Sequence, residues 1–255
     1  MSTVHDAPIL IADRVQMTFA SADSRLEALA EASLAVLPNE FVCLIGPSGC
    51  GKSTLLRILG GLVRPTSGRV LFEGQPLTHP LRRIGFLFQR ATLMPWRTAL
   101  GNVMLPLEIE GMPRAQAEAR AREFLRLVGL EEFAEALPRD LSGGMSHRVA
   151  LARALVYDPD VLLLDEPFAA LDALTREQLN WELLRIWQVR KKTVVMVTHN
   201  IQEAIFLSDH VLVMSPRPGR IEHKVPIEIP RPRSLDDLYS PQFLELTRLL
   251  RAYLR

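Results

Sequence analysis

Residues 41–59 of the chain read FVCLIGPSGCGKSTLLRIL. The apolar run Phe41–Ile45 predicts a buried strand, and Lys52–Leu59 has the apolar spacing of a helix. The glycine-rich turn between them fits the pattern G-x-x-x-x-G-K followed by Ser or Thr, in which a loop between a strand and a helix surrounds a phosphate group. This order of elements predicts an α/β fold with a nucleotide site beside its first core strand.

The chemistry of the phosphate loop accounts for its residue types. Bare glycines let backbone N–H groups curl around a β-phosphate, and the N-terminus of the helix adds partial positive charge. We expect Lys52 to reach the β- and γ-phosphates and the Ser53 hydroxyl to bind Mg²⁺. The alternative, a turn that only joins a strand to a helix, is disfavoured by this context. The predicted nucleotide-binding residues of this loop are Gly46, Pro47, Ser48, Gly49, Cys50, Gly51, Lys52, Ser53 and Thr54.

Further apolar runs extend the α/β pattern along the chain. Three are apolar nearly throughout, as parallel strands covered on both faces are, and they lie at 161–164, Thr193–Val197 and His210–Met214. Three other segments are expected to form an antiparallel layer, namely 9–19, 32–37 and 69–72.

Between residues 90 and 157 helical patterns replace the strands. Helices are predicted at 99–110, 114–128 and 143–157, with prolines between them. We therefore interpret the chain as one domain over residues 1–255. Its α/β core and β subdomain comprise 1–89 and 158–215, its inserted helical subdomain 90–157, and its short proline-rich tail 216–255.

Charge and composition limit the classes of function. The 30 basic and 29 acidic residues nearly balance, so nothing in the charge favours binding to nucleic acid. The two cysteines suggest no disulfide framework, and residues 1–8 lack the features of a secretory signal, so a cytosolic chain is expected. No apolar run approaches the roughly 18 residues that cross a bilayer. If the chain serves a membrane process, another chain must span the membrane.

Two carboxylates follow the apolar run at 161–164. In α/β sheets, ligands bind at the carboxyl ends of the strands, where Asp165 and Glu166 stand. We expect Asp165 to hold Mg²⁺ through its water shell and Glu166 to polarise the attacking water as a general base. A solvated acidic turn is the alternative, and the phosphate loop in the same chain disfavours it.

A second anion-binding turn is predicted at Ser142, Gly143 and Gly144, where a serine and two glycines open a helix. One ATP has a single γ-phosphate, which the loop at 46–53 already holds. The second turn therefore suits the ATP of a partner chain. The alternative is an ordinary N-capped helix with Ser142 as its cap.

The order of these motifs, with Gln89 after the phosphate loop and His199 after the acidic pair, resembles the ATP-binding cassette family over nearly the whole chain. The resemblance implies a P-loop NTPase (RecA-like) core with an N-terminal antiparallel β subdomain and an inserted α-helical subdomain. It also implies that ATP and Mg²⁺ are the cofactors, that ATP hydrolysis is coupled to transport, and that two chains form a homodimer.

The resemblance also assigns roles by position. Gln89 matches the residue that contacts Mg²⁺ and the membrane partner, and Asp172 lies in segment 170–172, which matches the one that crosses the dimer interface. His199 matches the residue that reaches the γ-phosphate and orients the catalytic glutamate, and Phe19 the aromatic that stacks on adenine. Taken alone, Gln89 fits a strand end, His199 a helix N-terminus and Phe19 a core position, and these alternatives stay open. The implied catalytic residues are Lys52, Gln89, Glu166 and His199, and the implied Mg²⁺ ligands are Ser53, Gln89 and Asp165.

Segment 93–98 and the tail at 229–233 resemble the nitrate/sulfonate/taurine branch of bacterial importers. The branch implies uptake of a small solute through a separate permease, which would contact residues 89–105, with a solute-binding protein as an indirect partner. It places the chain at the cytoplasmic face of the inner membrane. Leu93, Met94 and Trp96 fit an apolar groove with an aromatic anchor, although a proline-bearing core loop is the alternative.

Other classes share some of these motifs. An ATPase of an exporter or a lipid-trafficking system would keep all of them and is the open alternative. A chromosome-maintenance ATPase would need a long coiled coil, a translation-associated protein two cassettes, and a small-molecule kinase would lack the motif around Ser142. The chain has one copy of each motif and no coiled coil.

The chain departs from the family pattern at two positions. Ser146 and His147 stand where Arg and Gln are usual in this family. Since the anion-binding groups at 142–144 are unchanged, ATP-driven closure is expected to survive, with at most a modest effect on partner contact or turnover.

Overall fold

The computed structural model describes residues 7–21, 24–169 and 171–254. In chain order the strands and helices are β1 (Leu10–Ser21), β2 (Ser24–Val36), β3 (Phe41–Ile45), α1 (Lys52–Leu59), β4 (Ser67–Phe72), β5 (Gln75–Pro76), β6 (Ile84–Leu87), α2 (Ala99–Ile109), α3 (Arg114–Leu127), α4 (Gly143–Leu155), β7 (Val161–Asp165), α5 (Ala173–Arg190), β8 (Thr193–Val197), α6 (Ile201–Leu207), β9 (His210–Met214), β10 (Ile221–Pro226) and α7 (Pro241–Tyr253). Short 3-10 turns lie at Glu131–Phe133, Pro138–Asp140 and Leu235–Tyr239. The chain divides into a first unit, with the residues before 82 and after 191, and a second unit, residues 82–191.

The first unit contains the predicted antiparallel layer. Its strands lie in the order β2-β1-β4-β5, and Leu10 of β1 faces Val36 of β2 and Phe72 of β4. β2 begins at Ser24, well before the predicted start at residue 32. The earlier residues were missed because Ala28, Leu29 and Ala30 are consecutive apolar residues, all buried, and interrupt the alternation of apolar and polar side chains.

The first unit also contains parallel strands with the phosphate loop at their end. β3 pairs in parallel with β8 on one side and β9 on the other, and β10 pairs antiparallel with β9. Every residue of β3 and β8 is buried, which explains why both strands are apolar except at Thr193. Neighbouring parallel strands end at the same edge, so the residues that follow Ile45 and Val197 emerge side by side.

Within the first unit, Arg233 of the tail contacts the end of α6. This buried guanidinium donates hydrogen bonds of 2.7–3.3 Å to backbone carbonyl groups, three at the end of α6 and two in the tail itself, of Ile205, Phe206, Ser208, Ile227 and Ile229. Burial, reinforced by the charge of Arg231, lowers the pKa of Arg233 to about 10. A side chain in the tail therefore satisfies the carbonyl groups that α6 leaves unpaired at its C-terminus.

The second unit combines two parallel strands with helices. β6 and β7 pair in parallel with Ile84 opposite Val161 and Leu87 opposite Leu164. The predicted helices are confirmed as α2, α3 and α4, which end one or two residues earlier than expected. The residues after Leu87 and after Leu164 leave their strands at one edge, which brings Gln89 near Asp165 and Glu166. Among the described residues, no helix combines the length and the apolar character needed to cross a membrane.

Candidate active site

The phosphate loop joins β3 to α1 and depends on glycine for its shape. Gly51 is the N-cap of the eight-residue helix α1 and has a φ of 103°, in the left-handed region. A Cβ there would lie 2.7 Å from Cδ2 of Leu29 and 2.8 Å from the carbonyl oxygen of Ala28, so no larger residue fits. The turn thus delivers the chain to a helix N-terminus, where backbone N–H groups and the helix dipole favour an anion.

Lys52 lies over its own loop. Its Nζ donates hydrogen bonds of 2.8 Å to the carbonyl oxygens of Gly46 and Pro47 and lies 3.8 Å from Sγ of Cys50. The Lys52 side chain is buried, and its ammonium group lies beside the backbone of the loop. Phosphate oxygens carry negative charge and accept stronger hydrogen bonds than neutral carbonyl groups. Lys52 is therefore positioned to exchange carbonyl partners for a phosphate.

A turn at Gly219, far along the chain, packs against the backbone of the phosphate loop. Gly219 exchanges backbone hydrogen bonds with Ala28 and Ala30, each 3.0 Å long. A Cβ on Gly219 would lie 2.0 Å from the carbonyl oxygen of Cys50, so only glycine allows the two backbones to approach this closely. This contact could not be predicted from the sequence, because the Pro-Gly pair at 218–219 indicates a turn but not what the turn contacts.

His199 follows the strand beside the phosphate-loop strand. It is exposed and lies two residues after β8 ends. The segment around it is fixed by hydrogen bonds, since the Asn200 side chain accepts from the backbone N–H of Glu203 at 3.2 Å and Thr198 Oγ1 accepts from Asn200 N at 3.0 Å. The Thr198 hydroxyl also donates to the Glu203 carboxylate. His199 thus lies between β8 and a capped helix, at the strand edge from which the phosphate loop also leaves.

In the second unit, Gln89 and Glu166 meet at the ends of β6 and β7. Nε2 of Gln89 donates to Oε2 of Glu166 at 3.1 Å. The Glu166 backbone has a φ of 45°, a conformation that residues other than glycine rarely adopt and that occurs often in active sites. Asp165, directly before it, is buried. The structure therefore brings three of the predicted site residues together at one strand edge.

The turn at Ser142, Gly143 and Gly144 opens α4. Oγ of Ser142 accepts from the backbone N–H of Met145 at 3.2 Å, so Ser142 is the N-cap of α4. This agrees with the alternative prediction of an N-capped helix. Ser142 and Gly143 are exposed, and a Cβ on Gly144 would lie 3.0 Å from Cγ2 of Thr175. Capping leaves the other N–H groups of the first helical turn available, so the cap and an anion-binding role are compatible.

His147, one of the two departures from the family pattern, makes contacts that the pattern does not predict. The ring is buried, with Nδ1 2.9 Å from the carbonyl oxygen of Gly143 and Nε2 3.1 Å from that of Gln89. It connects the turn that opens α4 to the backbone of Gln89. No sequence signal marks such a contact, because the two ends of this link are far apart in the chain.

Asp172 and Phe19 lie at the remaining predicted positions. Asp172 is the N-cap of α5 and accepts from the backbone N–H of Thr175 at 3.0 Å. Hydrogen bonds from the side chain and the backbone of Thr175 lower the pKa of its carboxyl group. Ala170 of segment 170–172 lies outside the described residues. Phe19 is 44% exposed at the end of β1, which argues against a core role and leaves its ring accessible for stacking.

The oxygen donors proposed for Mg²⁺ suit that ion. Ser53, Gln89 and Asp165 offer hydroxyl, amide and carboxylate oxygens, which are the hard ligands that Mg²⁺ prefers. Among the described residues, no group of three or more His, Cys, Asp or Glu side chains is arranged to hold a metal. Since Mg²⁺ usually binds through one or two carboxylates, water and substrate phosphates, this donor set fits an ion that arrives with a nucleotide.

Comparison with known proteins gives consistent results. A family model described as ABC transporter matches residues 29–169. An uncharacterised ABC transporter ATP-binding protein of Methanocaldococcus jannaschii is 52% identical over 87% of this chain and 82% of its own length. The taurine import ATP-binding protein of Rhizobium johnstonii is 44% identical over 96% of both chains, and that of Pseudomonas aeruginosa is 46% identical over 87% of this chain and 84% of its own. A dimeric structure of the ATP-binding cassette MJ0796, in a post-hydrolysis state with ADP and Pi, superposes with a TM-score of 0.77 at 36% identity, covering 86% of this chain and 99% of that one. The likeness confirms the predicted fold class.

Proposed function

Because the chain belongs to the ABC transporter family, we propose that it is the ATP-hydrolysing subunit of an importer that takes up a small solute through a separate membrane permease. The observation that carries the proposal is its similarity, over 96% of both chains, to a protein named for taurine import. These relatives favour import over the exporter or lipid-trafficking alternative. A small sulfonate such as taurine is the solute class that they support.

The chemistry assigned to the site is hydrolysis of the γ-phosphate bond of ATP. Lys52 and the backbone N–H groups of the phosphate loop bind the phosphates, and Phe19 stacks on adenine. Glu166 accepts a proton from water as the water oxygen attacks the γ-phosphorus, and the bond to the β-phosphate oxygen breaks. His199 contacts the γ-phosphate and helps to orient Glu166. The products are ADP and inorganic phosphate.

Magnesium completes the substrate. Ser53, Gln89 and Asp165 are the residues that would hold it, and when bound with ATP it supplies positive charge that neutralises the phosphate oxygens. Ser53, Gln89 and Asp165 could bind the ion either directly or through water.

The second nucleotide-binding surface supports a homodimer. In the proposed complex, the turn at Ser142, Gly143 and Gly144 binds the γ-phosphate of the ATP held by the partner chain, and segment 170–172 with Asp172 lies at the interface. ATP stabilises the closed pair because it contacts both chains, and the loss of the γ-phosphate lets the pair open. The dimeric form of MJ0796 with ADP and Pi is a precedent in another cassette of the family.

The permease is proposed to dock on residues 89–105. The buried side chain of Asn102 organises this loop, since it accepts from the backbone N–H of Met94 at 2.7 Å and donates to the carbonyl oxygens of Met94, Arg97 and Thr98 at 3.0–3.2 Å. Trp96, in the loop thus held, is 74% exposed. An ordered loop that presents an aromatic ring costs little entropy on binding and suits an anchor for a partner. The subunit would then sit at the cytoplasmic face of the membrane, and a solute-binding protein would act indirectly through the permease.

The decisive experiment is reconstitution of the chain with its permease and solute-binding protein in proteoliposomes. We expect ATP hydrolysis inside the vesicles to drive uptake of taurine or a related sulfonate, and the solute-loaded binding protein to stimulate hydrolysis. The Glu166→Gln complex is the matched control and should transport nothing. Solute export by a complex that hydrolyses ATP normally would contradict the proposal.

A further inference from the structure

Helix α4 contacts the backbone of the loop that begins at Gln89 at three carbonyl groups. His147, one turn into the helix, reaches the carbonyl oxygen of Gln89 with Nε2 at 3.1 Å. Arg153, further along, donates to the carbonyl oxygens of Ala91 and Thr92 at 3.0 and 3.1 Å. Three of the four backbone carbonyl groups between residues 89 and 92 therefore have partners on α4.

Arg153 anchors the far end of this loop. Its side chain is half-buried, and this burial lowers the pKa of the guanidinium. Thr92, which accepts one of its hydrogen bonds, has a left-handed backbone with a φ of 41°. A non-glycine residue keeps that conformation only where its surroundings enforce it, so the loop backbone is fixed here.

His147 contacts the start of the loop, at Gln89, and also contacts a second backbone segment. Its other ring nitrogen, Nδ1, lies 2.9 Å from the carbonyl oxygen of Gly143, in the turn that opens α4. Carbonyl groups only accept hydrogen bonds, and an imidazole ring carries an N–H on one nitrogen or on both. The buried ring cannot exchange these partners for water without cost, so it holds the two backbone segments at a fixed separation.

A continuous line of close polar contacts therefore leads from the turn to the carboxylate of Glu166. It runs from the Gly143 carbonyl through the His147 ring to the Gln89 carbonyl, and from the Gln89 amide to Glu166 over 3.1 Å. Every contact lies within the second unit.

We infer that His147 is a positioning residue that ties the turn at Ser142–Gly144 to Gln89, and through Gln89 sets the position of the Glu166 carboxylate. The inference deepens the proposed function and rests on it. In the proposed dimer the turn contacts the partner's ATP while Gln89 and Glu166 act on the chain's own. His147 thereby makes the geometry of one ATP site depend on occupancy of the other. The departure from the family's usual glutamine supplies a rigid ring in place of a flexible side chain.

The test uses the assembled transporter with steady-state ATPase kinetics. His147→Leu removes both polar contacts at similar volume and should lower kcat about tenfold while changing KM for MgATP less than about twofold, as expected when one well-made hydrogen bond that orients the base is lost. His147→Gln, which keeps an N–H donor, should recover kcat to within about threefold of the unmodified complex. Ser146→Arg is the matched control, because it restores the other unusual position without touching Gln89, and its kcat should stay within about twofold.

A double-mutant cycle separates positioning from a structural role. In a Gln89→Ala background, His147→Leu should lower kcat less than about twofold further, because its effect passes through Gln89. Full additivity, or an unchanged kcat in His147→Leu alone, overturns the inference. If His147→Leu does not fold, His147→Ala takes its place. A lowered kcat that is not additive with Gln89→Ala then supports the inference, and full additivity or an unchanged kcat overturns it. An unmodified complex that hydrolyses no ATP contradicts the proposed function itself, whereas an active complex indifferent to His147→Leu contradicts only this inference.

Discussion

Nε2 of Gln89 lies 3.1 Å from Oε2 of Glu166, although 76 residues separate the two in the chain. Both residues follow the ends of paired parallel strands, so the register of β6 against β7 sets their distance. An amide donor beside a carboxylate restricts the orientation of that carboxylate. The side chain assigned to the permease-facing loop is therefore in contact with the side chain assigned as the base.

Replacing Glu166 by glutamine should stop turnover while preserving ATP binding. The amide has the same shape but cannot accept a proton from water, and loss of a general base usually lowers the rate by a factor of about 100 or more. We expect Glu166→Gln to accumulate as an ATP-bound dimer, detected by gel filtration with and without MgATP. Glu132→Gln, at an exposed glutamate, is the control and should behave as the unmodified chain. Undiminished ATPase activity in Glu166→Gln would show that another group is the base.

Trp96 should matter for assembly and not for stability. Its side chain is 74% exposed, so Trp96→Ala removes little buried surface from the isolated chain. If the ring is the anchor for the permease, its removal should weaken the complex by about 2 kcal/mol, roughly 30-fold in affinity. Ile109→Ala is the matched control, because Ile109 is 78% exposed on α2 outside the proposed contact.

Binding of each variant to permease in detergent, measured by co-purification and titration, checks this. Equal loss of binding in Trp96→Ala and Ile109→Ala would indicate that exposed apolar surface in general, and not this loop, holds the complex.

The core of the fold was predictable from the sequence wherever the signal was local. β3 and α1 have the predicted boundaries because glycines and the phosphate-loop pattern mark both ends. β6 was missed since Ile84–Leu87 is only four residues long and includes a glycine. β10 was missed because it lies in the proline-rich tail. Short strands of this kind acquire their structure from their neighbours and not from their own pattern.

The residues of the candidate site also fall into a group that local sequence predicted and a group that it did not. Lys52, Asp165 and Glu166 belong to continuous motifs and were identified individually, whereas the contacts of His147 and Gly219 join segments that only the fold brings together. Spacing along the chain carries no information on such contacts. Their roles in catalysis stay predictions for the experiments described above.

Arg233 should be a main source of stability for the tail. The buried guanidinium donates to five backbone carbonyl groups, and its removal leaves buried acceptors without partners, at about 1–3 kcal/mol for each one that water cannot reach. We expect Arg233→Met to lower the free energy of unfolding in urea by about 3 kcal/mol or more. Arg248→Met removes the same charge from an exposed position on α7 and should cost less than about 0.5 kcal/mol. Similar losses in the two variants would contradict the role assigned to Arg233.

Tyr157 should make the chain sensitive to alkaline pH. Burial, reinforced by the negative charge of Glu110, raises the pKa of its hydroxyl from 10.0 to about 12. The unfolded chain releases this proton near the ordinary value and the folded chain does not, so the folded state binds more protons between these two pH values. Stability from this group is complete below pH 10 and declines as pH rises towards 12, by at most about 1.4 kcal/mol per pH unit. Urea unfolding at a series of pH values should show a shallower decline in Tyr157→Phe, which has no hydroxyl to ionise, and Tyr239→Phe, at an 80% exposed position, is the control. An identical pH dependence in the unmodified chain and in Tyr157→Phe would show that the hydroxyl ionises equally readily in both states.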